Sequence, residues 1–331
     1  MISHESSQLT FHSEIYDRCV PGNHPYRRMQ QCLDMKQLSQ VIEKRYSKLG
    51  TSGYAVESAI KMLLLQFVED LSDREMERGM RENMAFRWFC GFTPEDETPD
   101  FTYFTKLRKR IRTKGIATLF NRFREMLKGK GYITGTFTFM DASSVISKTH
   151  LWKERDRAIA EGEDTLNNQN VGKHGSDADA SFGAKSKKKF WYGYKRHVSV
   201  DMRHGFINKV NMTTANVSDN APSVVKSICP DGGMIFADKL YDTNDVKSVL
   251  RSKGCASGII QKNNRKTKNF DLDRWRSTLR MPYESTFSCL SKFARYRGRL
   301  KMLFQGFVEA FAFNLKLMAK LISEGEPSPV M

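Results

Sequence analysis

Two apolar stretches in this chain each run into an aspartate, and that pattern limits the fold more than any other feature. "GTFTFM" leads to Asp141 and "GGMIFA" leads to Asp238. Short apolar runs bounded by turn residues read as buried strands. A carboxylate placed where a buried strand emerges is costly to desolvate unless something compensates it. A third segment, "LRMPYESTFSCLSKFARYRGR", places Glu284 near the start of a basic helix opened by Pro282. Taken singly, each acid has an ordinary explanation. An aspartate after a strand is usually a turn residue or a cap, and a glutamate in a first helical turn is favoured by the helix dipole. Taken together and in this order, the three read as a carboxylate cage for hard divalent ions.

The rest of the chain divides by pattern. Residues 1–35 are polar and aperiodic and read as a flexible arm. Residues 36–130 read as an all-helical module. "YAVESAIKMLLLQFVEDLS" has helical apolar spacing, and Ser72 with Glu75 forms a capping box opening a helix that Gly91 closes. Asp100 can cap "FTYFTKLRKRIRTKG", and "IATLFNRFREMLKGKG" follows as another amphipathic helix. The apolar residues from Leu63 to Val68 and from Phe86 to Phe89 read mostly as core of this module. After Gly131 the period changes. Residues 131–322 give a strand to Asp141, a polar stretch from about 150 to 185 read as a mobile loop, and a hairpin turning at Arg203, His204 and Gly205. A helix, the strand to Asp238, a helix, a strand, a basic connector, the helix with Glu284 and a long last helix complete it. Residues 323–331 read as a disordered tail. The fold class is α+β or α/β: a mixed sheet flanked by helices, similar to that of RNase H-like nucleases, preceded by an all-helical module.

Composition points to the partner. The formal net charge is +17, which favours a polyanion such as double-stranded DNA. The cations cluster. Lys106, Arg108, Lys109, Arg110, Arg112 and Lys114 surround a Phe104, Leu107, Ile111 stripe. Lys292, Arg295, Arg297 and Arg299 form a second run beside Tyr296, with Arg280 one turn before Glu284. Both groups are candidate DNA-binding residues. Ser288, Ser291 and Arg295 are expected to share the glutamate's helical face. Trp191 and Tyr192, after lysines 187–189, read equally as a base-stacking pair or a half-buried strand.

Other chemistries find no support. No G-x-x-x-x-G-K-[ST] loop occurs, so ATP use is not indicated. The six cysteines form no C-x-x-C pair and read as buried free thiols in a reducing compartment. His150, His174, His197 and His204 lack metal-site spacing, and His197 reads as packing. Asp177 and Asp179 read as solvated loop acids. No uncharged run of about 20 residues is present and the N-terminus lacks a signal-peptide pattern, so a cytoplasmic location without membrane contact is expected.

Cleavage of a phosphodiester requires an activated water or 3′-hydroxyl, a stabilised leaving oxygen and in-line geometry, which two divalent ions about 3.5–4 Å apart supply. Asp141 and Asp238 on adjacent strands would share one ion and reach toward the second. Glu284, on a longer side chain from a packed helix, would complete the other site.

The segments "FMDASSV", "YKRHVSVDMRHG", "TTANVSDN", "FADKLYD" and "RMPYESTFSCLSKFARYRG" resemble bacterial insertion-sequence transposases of the DDE type, particularly the insertion sequence five group. "AIKMLLLQFVEDLSDREMERGMRENMAFRWFCG" and "TPDFTYFTKLRKR" are similar to that family's helical N-terminal region. The resemblance covers most of residues 40–320. It implies a DNA recombinase that binds terminal inverted repeats, uses two Mg²⁺ (or Mn²⁺) ions and works as a homodimer on DNA, with Asp141, Asp238 and Glu284 in the DDE roles. Leu240 stands where such families often have glycine. Of the Y-(2)-R-(3)-E-(6)-K pattern, Arg280 and Glu284 are present, Ser277 replaces the tyrosine, and Lys292 lies one step beyond its place. Two alternatives stay open: a non-catalytic DNA-binding protein derived from a transposase, and an RNase H-like nuclease.

Overall fold

The computed structural model describes residues 12–46, 53–147, 177–186, 189–266 and 268–328. The chain forms two compact units, Met1–Lys130 together with Phe307–Met331, and Gly131–Gly306.

The first unit is helical. Its elements are α1 (His12–Cys19), α2 (Pro25–Gln31), α3 (Met35–Glu43), α4 (Val56–Val68), α5 (Asp73–Glu82), α6 (Met84–Cys90) and α7 (Phe101–Gly129). The arm expected over residues 1–35 is corrected from residue 12 onward. Tyr16, Val20, Tyr26, Met29, Cys32 and Leu33 are buried. The Tyr26 ring packs 5.9 Å from Phe86 and 5.5 Å from Phe89. Pro25 at the first position and the His24 cap start α2. These helices are one to two turns long, too short to display a period. Residues 1–11 lie outside the described residues.

Every residue of α4 is buried. Leu63 to Val68, Phe86 and Phe89 are all core of this unit. The Ser72–Glu75 capping box forms at the start of α5. The single helix expected up to Gly91 is two helices, because the Asn83 side chain accepts the amides of Ala85 and Phe86 and restarts the helix. Gly91, at φ 76°, then closes α6. Asp100 caps α7. That helix breaks at Arg112 (φ 56°, ψ 167°), three residues before Gly115, where the sequence placed its end.

Among its described residues the second unit carries a six-stranded sheet: β1 (Phe137–Ile146), β2 (Ser181–Ser186), β3 (Lys189–Asp201), β4 (Ile207–Thr214), β5 (Met234–Phe236) and β6 (Ala256–Ser257). β3 pairs antiparallel with β2 along its first part, with β4 along the rest, and with β1. β5 runs parallel to β1, and β6 parallel to β5. Helices α8 (Pro222–Ile228), α9 (Asn244–Ser252), α10 (Phe270–Ser288) and α11 (Arg299–Ser323) complete the described elements. An antiparallel meander extended by two parallel strands is the RNase H-like mixed sheet. Side chains alternate along β1. Met140 packs with Val225, Ile235, Val246 and Leu250, while Val145 packs with Tyr194, Met212, Ala294 and Met302.

Four readings in this region change. First, the polar stretch expected from about 150 to 185 gives way to β2 at Ser181; residues 148–176 lie outside the described residues. Second, the basic connector is helical from Phe270, because Asn269 caps the Leu272 amide and Asp271 and Asp273 occupy the first turn. Third, the helix bearing Glu284 ends at Ser288, so the cations after it are not a helical run. The Ile146 amide donates to Lys292 O and the Ala294 amide to Ile146 O, both at 2.8 Å, which draws residues 292–294 alongside the end of β1. Ser288, Ser291 and Arg295 therefore do not share one helical face. Fourth, Asp177 is buried rather than solvated. It accepts from the Tyr194 hydroxyl at 2.7 Å and from the Gly298 amide at 3.0 Å, while Asp179 accepts from the Arg299 amide at 3.0 Å. Together the two acids cap the start of α11.

From Phe307 on, α11 belongs to the helical unit, so the sheet unit ends at Gly306 and not at residue 322. Phe311 stacks on Phe123 at 4.6 Å. Within the expected tail, Ser328 is buried and its hydroxyl donates to Gln31 O at 2.6 Å. Residues 329–331 lie outside the described residues. Cys19 and Cys289 are exposed, unlike the other four cysteines. Among the described residues no helix is long and apolar enough to cross a membrane.

Candidate active site

Sheet register sets the first two acids. Phe139 of β1 pairs with Phe236 of β5 in parallel. Two residues further along each chain stand Asp141 and Asp238, so both project from the same edge of the sheet. β1 runs on to Ile146 against β3, so Asp141 lies within its strand rather than at its end. It emerges because its parallel neighbour stops. Asp238 begins the 3₁₀ turn Lys239–Tyr241 and caps it by accepting the Lys239 amide.

The third acid comes from α10. Phe287 packs edge-on against Phe139, with centroids 5.8 Å apart, and the Tyr283 hydroxyl donates to Met202 O. These contacts fix the helix against the sheet with Glu284 on the open side. Asp141, Asp238 and Glu284 line one cleft of about 1220 Å³, shared with Asp219, Lys195, Arg280 and Lys292. Glu284 is 51% exposed and lies 3.4 Å from Arg280. Lys195 holds Asp219 at 2.9 Å. Among the described residues no three histidine, cysteine, aspartate or glutamate side chains meet closely enough to hold an ion as they stand. Two of the four cleft acids are turned to cationic partners instead.

The electrostatics separate the acids. Burial pushes Asp141 up to about 6, with Asp219 and Asp238 adding to the rise and the Ala142 amide and Arg280 opposing it. The Tyr241 hydroxyl is pushed up by burial and then by Asp141, Asp219 and Asp238. His197 is pushed down to about 4 by burial, and its Nε2 lies 2.8 Å from Thr213 Oγ1. It is a neutral packed histidine at ordinary pH. Asp242, 2% exposed, ties the Asp238 turn to its surroundings. It accepts from Arg265 Nε at 2.8 Å and from the Lys262 amide at 3.0 Å, and lies 2.7 Å from Lys247. Burial pushes its carboxyl up, but these donors outweigh burial and hold it well below the carboxylate range. Lys262 and Asn263 thereby face the cleft beside Asp238.

The candidate DNA-binding cations are dispersed. Lys292 and Arg280 line the cleft. Arg297 and Arg299 are exposed, and the Arg295 amide donates to Gln305 Oε1 at 2.8 Å. On α7, Lys106, Lys109, Arg110 and Arg112 are exposed, and Arg110 lies over the Tyr46 ring at 4.4 Å. Arg108 makes two hydrogen bonds to Asp73, at 2.7 and 2.6 Å, and holds α5 to α7. Trp191 also lines the cleft, with its Nε1 donating to Tyr194 O at 3.1 Å. Sequence reasoning missed Asp219 and Asp242. The first looks like a turn residue in "NVSDN" and the second like the end of "DKLYD".

Two family models match this chain. "Transposase domain (DUF772)" covers residues 14–110 and "Transposase DDE domain" covers residues 166–308. The second spans Asp238, Glu284 and the sheet beyond β1. The chain is a DDE transposase. Asp141 of the transposase lies between the two matched segments. A solved piggyBac transposase synaptic complex with hairpin DNA is also similar, at 9% identity over 94% of this chain and 78% of that one, with a TM-score of 0.41.

Leu240, the departure from glycine in "DKLYD", is 44% exposed on the cleft wall. Among the described residues only Asp70 and Arg112 are non-glycine residues with positive φ. The backbone at Leu240 therefore makes no demand that only glycine meets.

Proposed function

We propose that this transposase binds the terminal inverted repeats of an insertion sequence of the insertion sequence five group and cleaves and joins DNA strands in the Asp141–Asp238–Glu284 cleft. The register that carries Asp141 and Asp238 to one edge beside Glu284 supports this reading most directly.

The residues fit two hard divalent ions, Mg²⁺ or Mn²⁺. The cleft offers carboxylate oxygens from three separate elements, as such ions require. Burial has already raised Asp141, so a cation there offsets an unfavourable charge. Asp141 and Asp238 would hold one ion and reach the second, and Glu284, half exposed, would reach it by leaving Arg280. When bound, the ions activate the attacking oxygen and stabilise the leaving one. The protein's part is to hold the carboxylates and the DNA. Sheet pairing fixes Asp141, and Asp242 fixes the turn after Asp238. Arg280, once parted from Glu284, and Lys292 hold phosphates at the cleft. On the helical unit, Lys106, Lys109, Arg110 and Arg112 give a sequence-independent hold on the duplex. Two transposon ends must be joined, so the active form on DNA is at least a homodimer. It acts in the cytoplasm, on nucleoid DNA, without ATP.

The deciding experiment is incubation with a terminal-inverted-repeat duplex and Mg²⁺. Strand transfer is the expected result. Binding without cleavage would instead indicate a regulator derived from a transposase, and unspecific nicking an RNase H-like nuclease. A monomer-sized mass of the active end complex in light scattering would exclude the dimer.

A further inference from the structure

A fourth carboxylate shares the cleft. Asp219, in the turn between β4 and α8, lines it with Asp141, Asp238 and Glu284. The turn is held from two directions. Lys195 Nζ donates to Val217 O at 2.9 Å and lies 2.9 Å from Asp219 Oδ1. Asn220 Nδ2 donates to Leu240 O at 3.0 Å, in the turn that follows Asp238. Asp219 is therefore fixed with respect to Asp238, although 19 residues separate them. Its Oδ1 is buried and faces the Lys195 ammonium.

Tyr241 gives an independent sign. It is 1% exposed, and its hydroxyl is buried with no hydrogen-bond partner. Buried hydroxyls are nearly always bonded, so one left over marks a missing group. Tyr241 also lines the cleft, and the charges of Asp141, Asp219 and Asp238 all bear on its hydroxyl. Three carboxylates acting on one buried, unpaired hydroxyl describe a place that a cation would suit.

We propose that Asp219 is a further divalent-cation ligand of the catalytic centre, forming with Asp141 and Asp238 an inner set of three carboxylates. This rests on the two-ion reading above. Lys195 keeps Asp219 in place before the cation enters and is displaced by it, which frees the ammonium for a DNA phosphate. Glu284, paired with Arg280, serves the second ion. An all-oxygen set of this kind suits Mg²⁺ and Mn²⁺ over softer metals.

The test is Mn²⁺ binding to the full chain without DNA, followed by the paramagnetic resonance signal of the free ion. Wild type is compared with Asp219→Asn, Asp219→Glu, Lys195→Ala and Asp141→Asn. Asp219→Asn is expected to weaken one site by at least the roughly 10- to 100-fold that loss of an outer-shell partner costs. Asp219→Glu should restore most of that loss, and Lys195→Ala should tighten the same site by removing the competing cation. Binding by Asp219→Asn equal to wild type, while Asp141→Asn loses it, would overturn this inference and leave the two-ion reading standing. Wild type that binds no Mn²⁺ would overturn both. Thermal melting without metal reports whether each variant folds. Should Asp219→Asn fail to fold, Lys195→Ala decides: tighter binding supports the assignment, and unchanged or weaker binding overturns it.

Discussion

On one wall of the cleft, Asp141 is set by sheet pairing and Asp238 by a turn that Asp242 anchors from behind. On the other wall, Glu284 rides a helix, is half exposed, and is tied to Arg280. The strand-borne acids are positioned before anything binds, and Asp141 carries a desolvation cost for it. The helix-borne acid is cheap to expose and free to turn. Positional accuracy and adjustability are thus divided between two kinds of secondary structure, and each acid type suits its place. A short aspartate follows the backbone that fixes it, whereas a glutamate adds a bond of reach.

The largest expected effect treats both walls alike. Asp141→Asn, Asp238→Asn and Glu284→Gln should each lower strand cleavage by about 10³-fold or more, with end binding in a gel-shift assay nearly unchanged, because the proposed roles give ions to the carboxylates and phosphates to the cations. Cleavage by Glu284→Gln at wild-type rate would remove the helix-borne wall from the chemistry.

Stability should separate the walls. Asp141 has a folded value of about 6 against an ordinary 3.8. The folded state therefore binds this proton more tightly than the unfolded one, and its contribution to stability falls as pH rises from about 4 to 6. Above that window the ionised group costs on the order of 3 kcal/mol. Asp141→Asn should raise the metal-free Tm at pH 7 and flatten that part of the pH dependence. Glu284→Gln, at a half-exposed site, should leave the Tm at pH 7 nearly unchanged. Equal melting curves for the two variants would erase the distinction.

The same contrast extends to the cations of α7. Arg108→Ala should lower stability by about 1–2 kcal/mol, since it breaks a two-bond contact with a partly buried Asp73. Lys106→Glu with Lys109→Glu should leave the melting curve in place, weaken end binding, and flatten the slope of log affinity against log salt by close to one unit per lost phosphate contact. An unchanged slope would move the anchor to Lys292, Arg297 and Arg299.

The smallest effect concerns Arg112. Its φ of 56° with ψ of 167° is backbone that glycine adopts and other residues resist. Arg112→Gly should raise the unfolding free energy by up to about 1 kcal/mol in a denaturant titration. A loss of stability would show that the break in α7 carries no strain.

Much of the site was readable because it follows a period. Asp141 and Asp238 end apolar runs, and two adjacent strands with acids at matching positions leave few arrangements. Caps such as Ser72 with Glu75, Asn83 and Asp100 depend on neighbours within three residues, so local sequence can show them, although Asn83 was passed over within a longer helical pattern. Asp219 could not be recognised this way. Its partner Lys195 lies 24 residues back on another strand, and nothing in "NVSDN" distinguishes a cleft acid from a turn. The cations after Ser288 were misread for the opposite reason. Their spacing imitates a helix, but the edge of β1 at Ile146 offers unpaired backbone groups that take residues 292–294 out of it. Arg108 looked like a DNA contact because Asp73, 35 residues away, carries no local mark.

The membership of α11 in two units also bears on the order in which the protein can form during synthesis. Residues 131–306 interrupt the helical unit, whose core needs Phe307 and Phe311 against Phe120 and Phe123. As the ribosome releases the chain, the sheet unit has all of its strands before those residues emerge. The sheet unit can therefore be complete while the unit that precedes it in sequence still exposes apolar helix faces to chaperones, and a ribosome stall just past Gly306 would leave a finished sheet unit and an unfinished helical one.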